Sequence, residues 1–441
     1  MKRILLLVEF KLRDLPSCVL LKYMLERRFG YQVRLGPPGS EREAVAEFRP
    51  HLVIYSHLRY PESVKRAREL RCMGIGVAVL HTEGASILEG PKMVIAGKFS
   101  DHSVADIQFV WNQEMAALTK RFHPATADRV HVVGSPRMDF YFAPLNRLHM
   151  PKEEFCRRYG LAAERPVVTW ASNFGWVRLA DQPSAINEVQ ARYHREGVAQ
   201  FAPWNNIADV VRRESVSRRL QADAFVELAR AFGDVGFVLK THPIEDGDWY
   251  QSLCRAAGVK NVVIVTKEYI WDVLNASSVH LHRSCTTALE AWLMGKPTID
   301  LMLNPEEWYY SEELSRGGDV VTSSKELIEC VGTYLSGASV PAGQLVNRDQ
   351  VLRDWFDRRD GCSAGRHAAI IRDFLESGGT QEPSYRPGWA DVCALAKMRV
   401  RRLLGLNDHD SLRFWHRETR EKFFTDDEAR VWMEKIESVL A

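Results

Sequence analysis

Short apolar segments without polar interruptions alternate with helical segments from the first residues of this 441-residue chain. Residues 3–8, 51–56 and 75–80 are such apolar runs, and 16–28 and 62–71 are helical segments between them. Continuous apolar runs predict strands that are buried on both faces, and intervening helices predict the crossovers of a parallel sheet. The pattern therefore indicates an α/β fold.

The alternation occurs in two series. The first ends near residue 140, and the second begins with a helical segment at 151–160, with strands expected at 166–170, 236–239, 262–266, 279–282 and 298–302. We expect two Rossmann-like domains facing across a cleft, with C-terminal helices. The predicted boundaries are 1–145 for an acceptor domain, 146–375 for a nucleotide-sugar donor domain and 376–441 for a helical segment. Residues 134–137 (GSPR) are the predicted crossover between domains.

Composition excludes several classes of protein. A net charge of +2 gives no global attraction for nucleic acid. The eight cysteines include no CxxC pair, which disfavours a zinc cage and indicates a reducing compartment. No apolar run approaches the ~18 residues of a membrane span. We therefore expect a cytoplasmic protein.

The strongest chemical signal follows the strand expected at 279–282. The segment contains a cation, hydroxyl groups and a carboxylate, then Gly-Lys-Pro: Arg283, Ser284, Thr286, Thr287 and Glu290. A helix that begins here presents free main-chain N–H groups and a positive dipole end, which suit a phosphate. Glu290 is placed to accept ribose hydroxyls. The alternative is that Ser284 and Thr287 only cap the helix.

A second signal is His242-Pro243, directly after the strand expected at 236–239. Proline holds the preceding residue extended, and a histidine at a strand end can donate to a phosphate. The alternative is a structural histidine. Its position about forty residues before the hydroxyl-rich turn favours the binding interpretation.

These two segments, KTHP and HRSCTTALEAWLMGKPT, together resemble the nucleotide-binding half of bacterial surface-carbohydrate biosynthesis proteins. That family is similar to the Kdo and nonulosonate transferases of capsule and lipopolysaccharide synthesis. VEFKLRDLPSCVLL, HTEG, FVWNQEMAALTKRF and VVGSPRMDFY extend the resemblance in the same order over most of residues 1–305. It implies a GT-B glycosyltransferase with a CMP-sugar as substrate and no cofactor.

The first domain should then hold the acceptor and a catalytic carboxylate. Glu9 follows the first strand and Glu83 follows the fourth, so either can act as a general base or stabilise an oxocarbenium-like centre. Asn173, in the turn after the first strand of the second domain, is expected to orient the donor. The alternative for both carboxylates is a charge that complements a helix dipole.

The resemblance fails at the nucleophile. Retaining Kdo transferases are understood to use an aspartate after the first strand of the second domain, where this chain has Asn173; Asp181 and Asp209 are unaligned candidates. The stereochemical outcome is open. The acidic string 246–248 is expected to begin a helix and the string 408–410 to lie in a polar loop. Both are interpreted as solvated acids, so no essential metal is expected.

Other functions stay open. They are a CDP-glycerol or CDP-ribitol polyol-phosphate transferase, a UDP- or GDP-sugar GT-B enzyme, and a non-catalytic nucleotide-binding scaffold of a polysaccharide assembly complex. The basic C-terminal segment, with Lys397, Arg399, Arg401 and Arg402 followed by Leu404 and Trp415, either contacts the inner membrane peripherally or braces the first domain.

Overall fold

The computed structural model describes residues 1–378, 382–403 and 423–440, apart from the side chains of Arg401 and Arg402. It divides into two compact units. Unit 1 contains residues 1–86, 91–148 and the chain from 354 onward, and unit 2 contains residues 87–90 and 149–353. Each unit is built around one parallel sheet of six strands.

Unit 1 has the strand order β2-β1-β3-β4-β5-β6, with every pairing parallel. The strands are β1 Arg3–Leu7, β2 Gln32–Gly36, β3 Leu52–Tyr55, β4 Gly76–Val79, β5 Ile107–Val110 and β6 Val130–Val132. Side chains such as Leu5, Val53 and Val77 are fully buried in one core cluster. Burial on both faces explains why these strands appear in the sequence as unbroken apolar runs.

The α-helices up to residue 148 are Lys11–Phe29, Glu41–Phe48, Pro61–Cys72, Glu89–Ile95 and Gln113–Phe122. The first of them begins five residues before Pro16, which lies inside it. Its first turn therefore directly follows the end of β1. This places Arg13 and Asp14 beside the carboxyl edge of the sheet.

The chain returns to unit 1 after residue 353, through helices Ser363–Glu376, Trp389–Leu403 and Asp426–Leu440, while helix Ala342–Phe356 spans the boundary. Lys11 pairs with Glu428 at 2.8 Å, and the ring of Phe140 meets that of Trp432 at 5.9 Å. The C-terminal helices thus brace the first unit. Residues 354–375, assigned to the donor domain from sequence, pack with unit 1 because Asp139 caps helix Ser363–Glu376 through the N–H groups of Ser363 and Ala364.

Unit 2 has the strand order β12-β11-β10-β7-β8-β9, again all parallel. The strands are β7 Val167–Ala171, β8 Gly236–Lys240, β9 Val262–Val265, β10 Val279–His282, β11 Thr298–Leu301 and β12 Asp319–Val321. Trp170, Leu281 and Ile299 lie in its main core cluster.

The α-helices of unit 2 are Lys152–Tyr159, Pro183–Arg195, Ile207–Ala231, Gly247–Ala256, Ile270–Ala276, Thr287–Leu293, Glu312–Ser315 and Ser324–Leu335. The long segment between β7 and β8, an insertion into the alternation of strands and helices, contains two of them, including the 25-residue helix Ile207–Ala231. That helix packs Phe225 and Leu228 into the core of the unit. The insertion is thus an integral part of unit 2.

The predicted crossover at 134–137 is wrong, because the chain passes from unit 1 to unit 2 between Leu148 and His149. Gly134 has φ +76°, and a side chain there would meet the carbonyl oxygen of Phe356 within unit 1. None of the helices in the described ranges is long and apolar enough to cross a membrane.

Candidate functional site

Glu9 and His57 meet at the position in unit 1 where the order of the strands reverses. β1 and β3 are neighbours in the sheet. The chain leaves β1 toward β2 on one side, and it leaves β3 toward β4 on the other side. Ligands of such sheets bind at the carboxyl ends of the strands at this switch point. Glu9 follows β1, His57 follows β3, and Nε2 of His57 lies 3.1 Å from Oε1 of Glu9.

Arg13 connects three carboxylates at the same edge. Its guanidinium donates to Oε2 of Glu9 at 3.0 Å and to Oδ1 of Asp14 at 2.7 Å, and it is also paired with Glu83. The second oxygen of Glu83 accepts from Arg59 at 2.8 Å. The two carboxylates that the sequence singled out therefore belong to one ion-pair network. Its other members, His57, Arg59 and Asp14, were missed.

This network holds both carboxylates in the charged form. Burial alone would raise the pKa of Glu9, but the hydrogen bond with His57 and the charge of Arg13 lower it to about 2. The charge of Arg13 likewise holds the pKa of Glu83 far below its usual range. A carboxylate with so low a pKa is a weak general base. The geometry favours electrostatic roles for Glu9 and Glu83.

His81, two residues before Glu83, has a strained backbone and an unusual environment. It has φ +48°, in the left-handed region that few residues other than glycine adopt. Both of its ring nitrogens are buried and lack a hydrogen-bond partner within the described ranges. Burial, with the charges of His102 and Arg59, holds its pKa well below the ordinary value. His81 is thus a neutral imidazole next to the charged network.

In unit 2 the order of strands reverses between β7 and β10. Asn173 follows β7 and Arg283 follows β10, and the main-chain oxygen of Asn173 accepts from Nη1 of Arg283 at 2.8 Å. Arg283 is fully buried and forms a two-pronged ion pair with Glu307, at 2.9 and 2.6 Å. Glu214 adds a third carboxylate contact at 3.2 Å.

The partners of Arg283 differ from those expected. The guanidinium is paired to carboxylates and stacks 4.8 Å from the ring centre of Phe174, so its geometry fits a role in holding the loops together. Direct contact with a phosphate stays a prediction without support from these contacts. Burial raises the pKa of Glu214 to about 7, although the charge of Arg283 opposes the shift.

Ser284 is held in a left-handed conformation by Asp300. Its φ is +39°, and its main-chain N–H and hydroxyl donate to the two oxygens of Asp300 at 2.8 and 2.6 Å. Ser315 donates to the same carboxylate at 2.9 Å. The turn that precedes helix Thr287–Leu293 is therefore fixed from the neighbouring strand β11.

The hydroxyl groups of this turn do not cap the helix that follows. Ser284 is bonded to Asp300, Oγ1 of Thr287 bonds Nε2 of His280 at 3.0 Å, and the N-cap residue Thr286 forms no side-chain cap. The capping alternative is thus not what the structure shows. Glu290 is buried in the first turn of the helix.

His242 lies in the loop after β8, and a hydrogen-bond chain joins that loop to the loop after β7. The main-chain N–H of His242 donates to the hydroxyl of Ser172 at 3.3 Å, and that hydroxyl donates to Glu245 at 3.0 Å. Nδ1 of His242 accepts from the N–H of Ile244 at 3.4 Å. Together with Pro243 this positions the histidine at the carboxyl edge of the sheet.

The candidate nucleophiles lie elsewhere in unit 2. Asp209 is in the first turn of helix Ile207–Ala231 and pairs with Arg212 and Arg213, at 2.8 and 2.7 Å. Asp181 is exposed in a turn. Asp246 caps helix Gly247–Ala256 by accepting from the N–H of Asp248, so this acidic string begins a helix. The string at 408–410 lies outside the described residues.

The structure thus places His242, Asn173 and the 283–290 segment at one edge of unit 2, and Glu9 with Glu83 at one edge of unit 1. Of the residues that were missed, Asp300 had a detectable signal, because a carboxylate inside the apolar strand TIDL needs a buried partner. Glu307 and Glu214 had none, since both lie in ordinary polar segments far along the chain from Arg283.

Comparison with known proteins finds the fold but no family. No protein-family model matches, and no curated protein matches the sequence. Among solved structures, a UDP-N-acetylglucosamine 2-epimerase is similar with a TM-score of 0.53 and 11% identity, over 88% of this chain and 99% of that one. The UDP-GlcNAc 2-epimerase from Neisseria meningitidis bound to UDP-GlcNAc gives 0.50 and 12%, over 86% and 100%.

A third similar structure is the wall teichoic acid polymerase TagF, as a variant soaked with CDPG. Its TM-score is 0.51 at 11% identity, over 86% of this chain and 90% of that one. These likenesses and the two parallel six-stranded sheets show that this chain has the GT-B fold, with two Rossmann-like domains.

Proposed function

We propose that this chain is a glycosyltransferase that moves an acidic sugar, Kdo or another nonulosonate, from a CMP-activated donor to a surface polysaccharide or glycolipid acceptor. The observation that carries the proposal is the turn at Ser284, which Asp300 fixes at the switch point of unit 2 in front of a helix that its own hydroxyl groups do not cap. The donor sugar is the one suggested by the sequence resemblance.

Unit 2 is the proposed donor unit. The phosphate of CMP is placed at the start of helix Thr287–Leu293, where the positive end of the helix dipole attracts an anion. The N–H groups of Ala288 and Leu289 there already donate to the carbonyl oxygens of Cys285 and Thr286, at 3.0 and 3.1 Å. His242 donates to the same phosphate from the loop after β8, and Glu290 accepts the ribose hydroxyls. Arg283 acts without touching the phosphate, because its ion pairs with Glu214 and Glu307 hold the loops in place.

Unit 1 is the proposed acceptor unit. The acceptor hydroxyl oxygen bonds to the anomeric carbon, the bond from that carbon to the phosphate oxygen of CMP breaks, and the hydroxyl proton leaves to a base. Glu9 is too weakly basic to take it alone. We assign the proton to the Glu9–His57 pair, in which the carboxylate orients the ring and stabilises its protonated form. Glu83 supplies negative charge to the oxocarbenium-like centre.

The proposal includes no essential metal. CMP leaves with a single phosphate, so its charge can be stabilised by His242 and the helix start. Turnover should therefore persist in EDTA. We further propose that the protein works at the inner face of the cytoplasmic membrane, where a glycolipid acceptor is found.

Transfer of a polyol phosphate from a CDP-activated donor is the second candidate. The TagF structure soaked with CDPG supports it, because TagF has the same fold at a TM-score of 0.51. A UDP-sugar substrate has similar support from the epimerase bound to UDP-GlcNAc. A pyrophosphate donor calls for more cationic groups at the phosphate site, and Arg283 is already paired to carboxylates.

Calorimetric binding of CMP, CDP, UDP and GDP to the full chain, with EDTA present, tests the proposal. We expect CMP to bind best and His242→Ala to weaken its binding strongly, with Asp248→Ala as a control in the next helix. A preference for CDP would favour polyol-phosphate transfer, and a preference for UDP or GDP a hexose donor. Binding without turnover of any donor would indicate a scaffold, and no binding at all would refute the nucleotide site.

A further inference from the structure

Helix Trp389–Leu403 presents large apolar side chains to solvent. Trp389 is 82% exposed and Leu403 is 85% exposed, and Val392 and Val400 are 43% and 54% exposed. Single exposed apolar residues are common, but several on one helix mark an interaction surface. We call these four residues with the exposed Ala396 the apolar stripe.

The residues of the apolar stripe share one face of the helix. They are spaced three or four residues apart, at 389, 392, 396, 400 and 403. At about 100° per residue, the five positions fall within an arc of ~80°. The stripe runs the whole length of the helix, which for 15 residues is about 22 Å.

The opposite face of the helix is already packed on unit 1. Met398 and Asp391 are buried, and both lie about half a turn away from the centre of the apolar stripe. Asp391 pairs with Arg42 at 2.9 Å and with Arg66 at 3.2 Å. The helix is therefore fixed in orientation by one face, while the apolar stripe on the other is left exposed by the residues that the structure describes.

The charges beside the apolar stripe are all positive. Lys397 and Arg399 are exposed, and on a helical projection they lie on either side of the stripe. Asp391, the one acidic residue of this segment, is buried in ion pairs with two arginines. The solvent-exposed face of the helix thus consists of the apolar stripe with a cation on either side, and no acidic group of this helix is exposed.

We infer that helix Trp389–Leu403 binds in the interface of an anionic lipid bilayer, with the apolar stripe among the acyl chains and its flanking cations at the lipid phosphates. Amphipathic helices with tryptophan and leucine on one face and lysine or arginine beside it bind such surfaces. The tryptophan at one end of the stripe suits the boundary between head groups and acyl chains.

The charge pattern selects the lipid surface over a second copy of the chain. Two copies that met along the apolar stripe would bring Lys397 and Arg399 toward the same cations of the partner, with no exposed carboxylate on this helix to balance them. An anionic surface satisfies both the apolar and the cationic groups. The inference deepens the proposed function, since a glycolipid acceptor lies in the same bilayer.

Co-sedimentation of the full-length protein with vesicles tests the inference. One vesicle contains phosphatidylcholine alone, and the other contains phosphatidylcholine mixed with phosphatidylglycerol. We expect binding to the anionic vesicle that weakens as salt rises. The paired substitutions Trp389→Ser with Leu403→Ser, and Lys397→Glu with Arg399→Glu, should each weaken it by about tenfold or more.

Leu345→Ser with Val346→Ser is the matched control, because these side chains are 51% and 70% exposed on another helix. It should bind vesicles like the unmodified chain. Equal binding to both vesicles, no binding to either, or stripe variants that bind unchanged would overturn the inference, as would a stripe variant that alters only the oligomeric state. Nucleotide calorimetry on the same variants should be unchanged, which separates this outcome from failure of the proposed function.

Discussion

Nε2 of His57 lies 3.1 Å from Oε1 of Glu9, and this contact joins the loops that follow two neighbouring parallel strands. The carboxylate also accepts from Arg13, so its negative charge is shared between a ring and a guanidinium. An imidazole that contacts a carboxylate is oriented by it, and a proton taken up by the ring has its charge balanced by that carboxylate. The two residues should therefore act as one unit in turnover.

We expect Glu9→Gln and His57→Gln each to lower turnover by roughly 10²–10⁴-fold while leaving nucleotide affinity unchanged. The double variant should be little worse than either single variant, because each change disables the same pair. Turnover of the donor found by calorimetry is the measurement. Losses that multiply in the double variant would contradict the pairing.

Glu83→Gln should leave nucleotide binding intact and abolish turnover. The substitution preserves the shape of the side chain but removes the charge that faces Arg13 and Arg59. Glu114→Gln, which removes an exposed partner of Lys92, is the control and should turn over normally. Normal turnover in Glu83→Gln would remove this residue from the mechanism.

Asp300→Ala should destabilise the chain by about 2–4 kcal/mol, because the N–H and hydroxyl of Ser284 and the hydroxyl of Ser315 are left buried without an acceptor. It should also weaken nucleotide binding, since the turn loses its clamp. Ser315→Ala removes one donor and keeps the turn, so its nucleotide affinity should stay normal. Denaturant unfolding and calorimetry on both variants provide the comparison.

Arg283→Met should destabilise the chain by about 3–5 kcal/mol, because Glu214 and Glu307 remain buried without their cation. Adding Glu307→Gln to this variant should recover part of the loss, since one uncompensated charge disappears. Arg316→Met breaks an exposed pair with Glu312 and should cost less than about 1 kcal/mol. Equal unfolding free energies for Arg283→Met and Arg316→Met would show that the buried network contributes little.

The buried imidazole of His367 should make stability depend on pH. Burial lowers the pKa of His367 to about 4. As pH falls below about 6.5, His367 is therefore protonated in the unfolded chain but stays neutral in the folded chain. The protonation of His367 therefore lowers the free energy of unfolding by about 1.4 kcal/mol for each unit by which pH falls from 6.5 to 4. His367→Leu should flatten the dependence of the unfolding free energy on pH by that slope, as measured by denaturant unfolding across this pH range.

Most of the architecture could be predicted from the sequence, because strands buried on both faces leave unbroken apolar runs. β10 begins and ends where the pattern placed it, and the other predicted strands differ by one or two residues. The short strand β12, Asp319–Val321, was missed because two of its three residues are not buried and leave no apolar run. Pro16 suggested a helix start, whereas the helix begins at Lys11.

The candidate site was only partly predictable. The predicted ends of the strands show which residues come next in the chain and so lie at the carboxyl edge of each sheet. Glu9, His242 and Ser284 were correctly placed at these edges in this way. It does not identify partners, because Asp300 and Glu307 come to Ser284 and Arg283 from 16 and 24 residues away. The sequence therefore led to Arg283 as a phosphate ligand, while the fold supplies it with carboxylates.

The C-terminal stretch of unit 1 is separated from the earlier stretches of that unit by nearly the whole of unit 2. During synthesis, residues 149–353 leave the ribosome before helices Ser363–Glu376 and Asp426–Leu440, which pack on helix Lys11–Phe29 of unit 1. Until then, the surface of helix Lys11–Phe29 that those helices cover is open to chaperones and proteases. A premature stop shortly before residue 426 would thus damage the unit made first and spare the one made second.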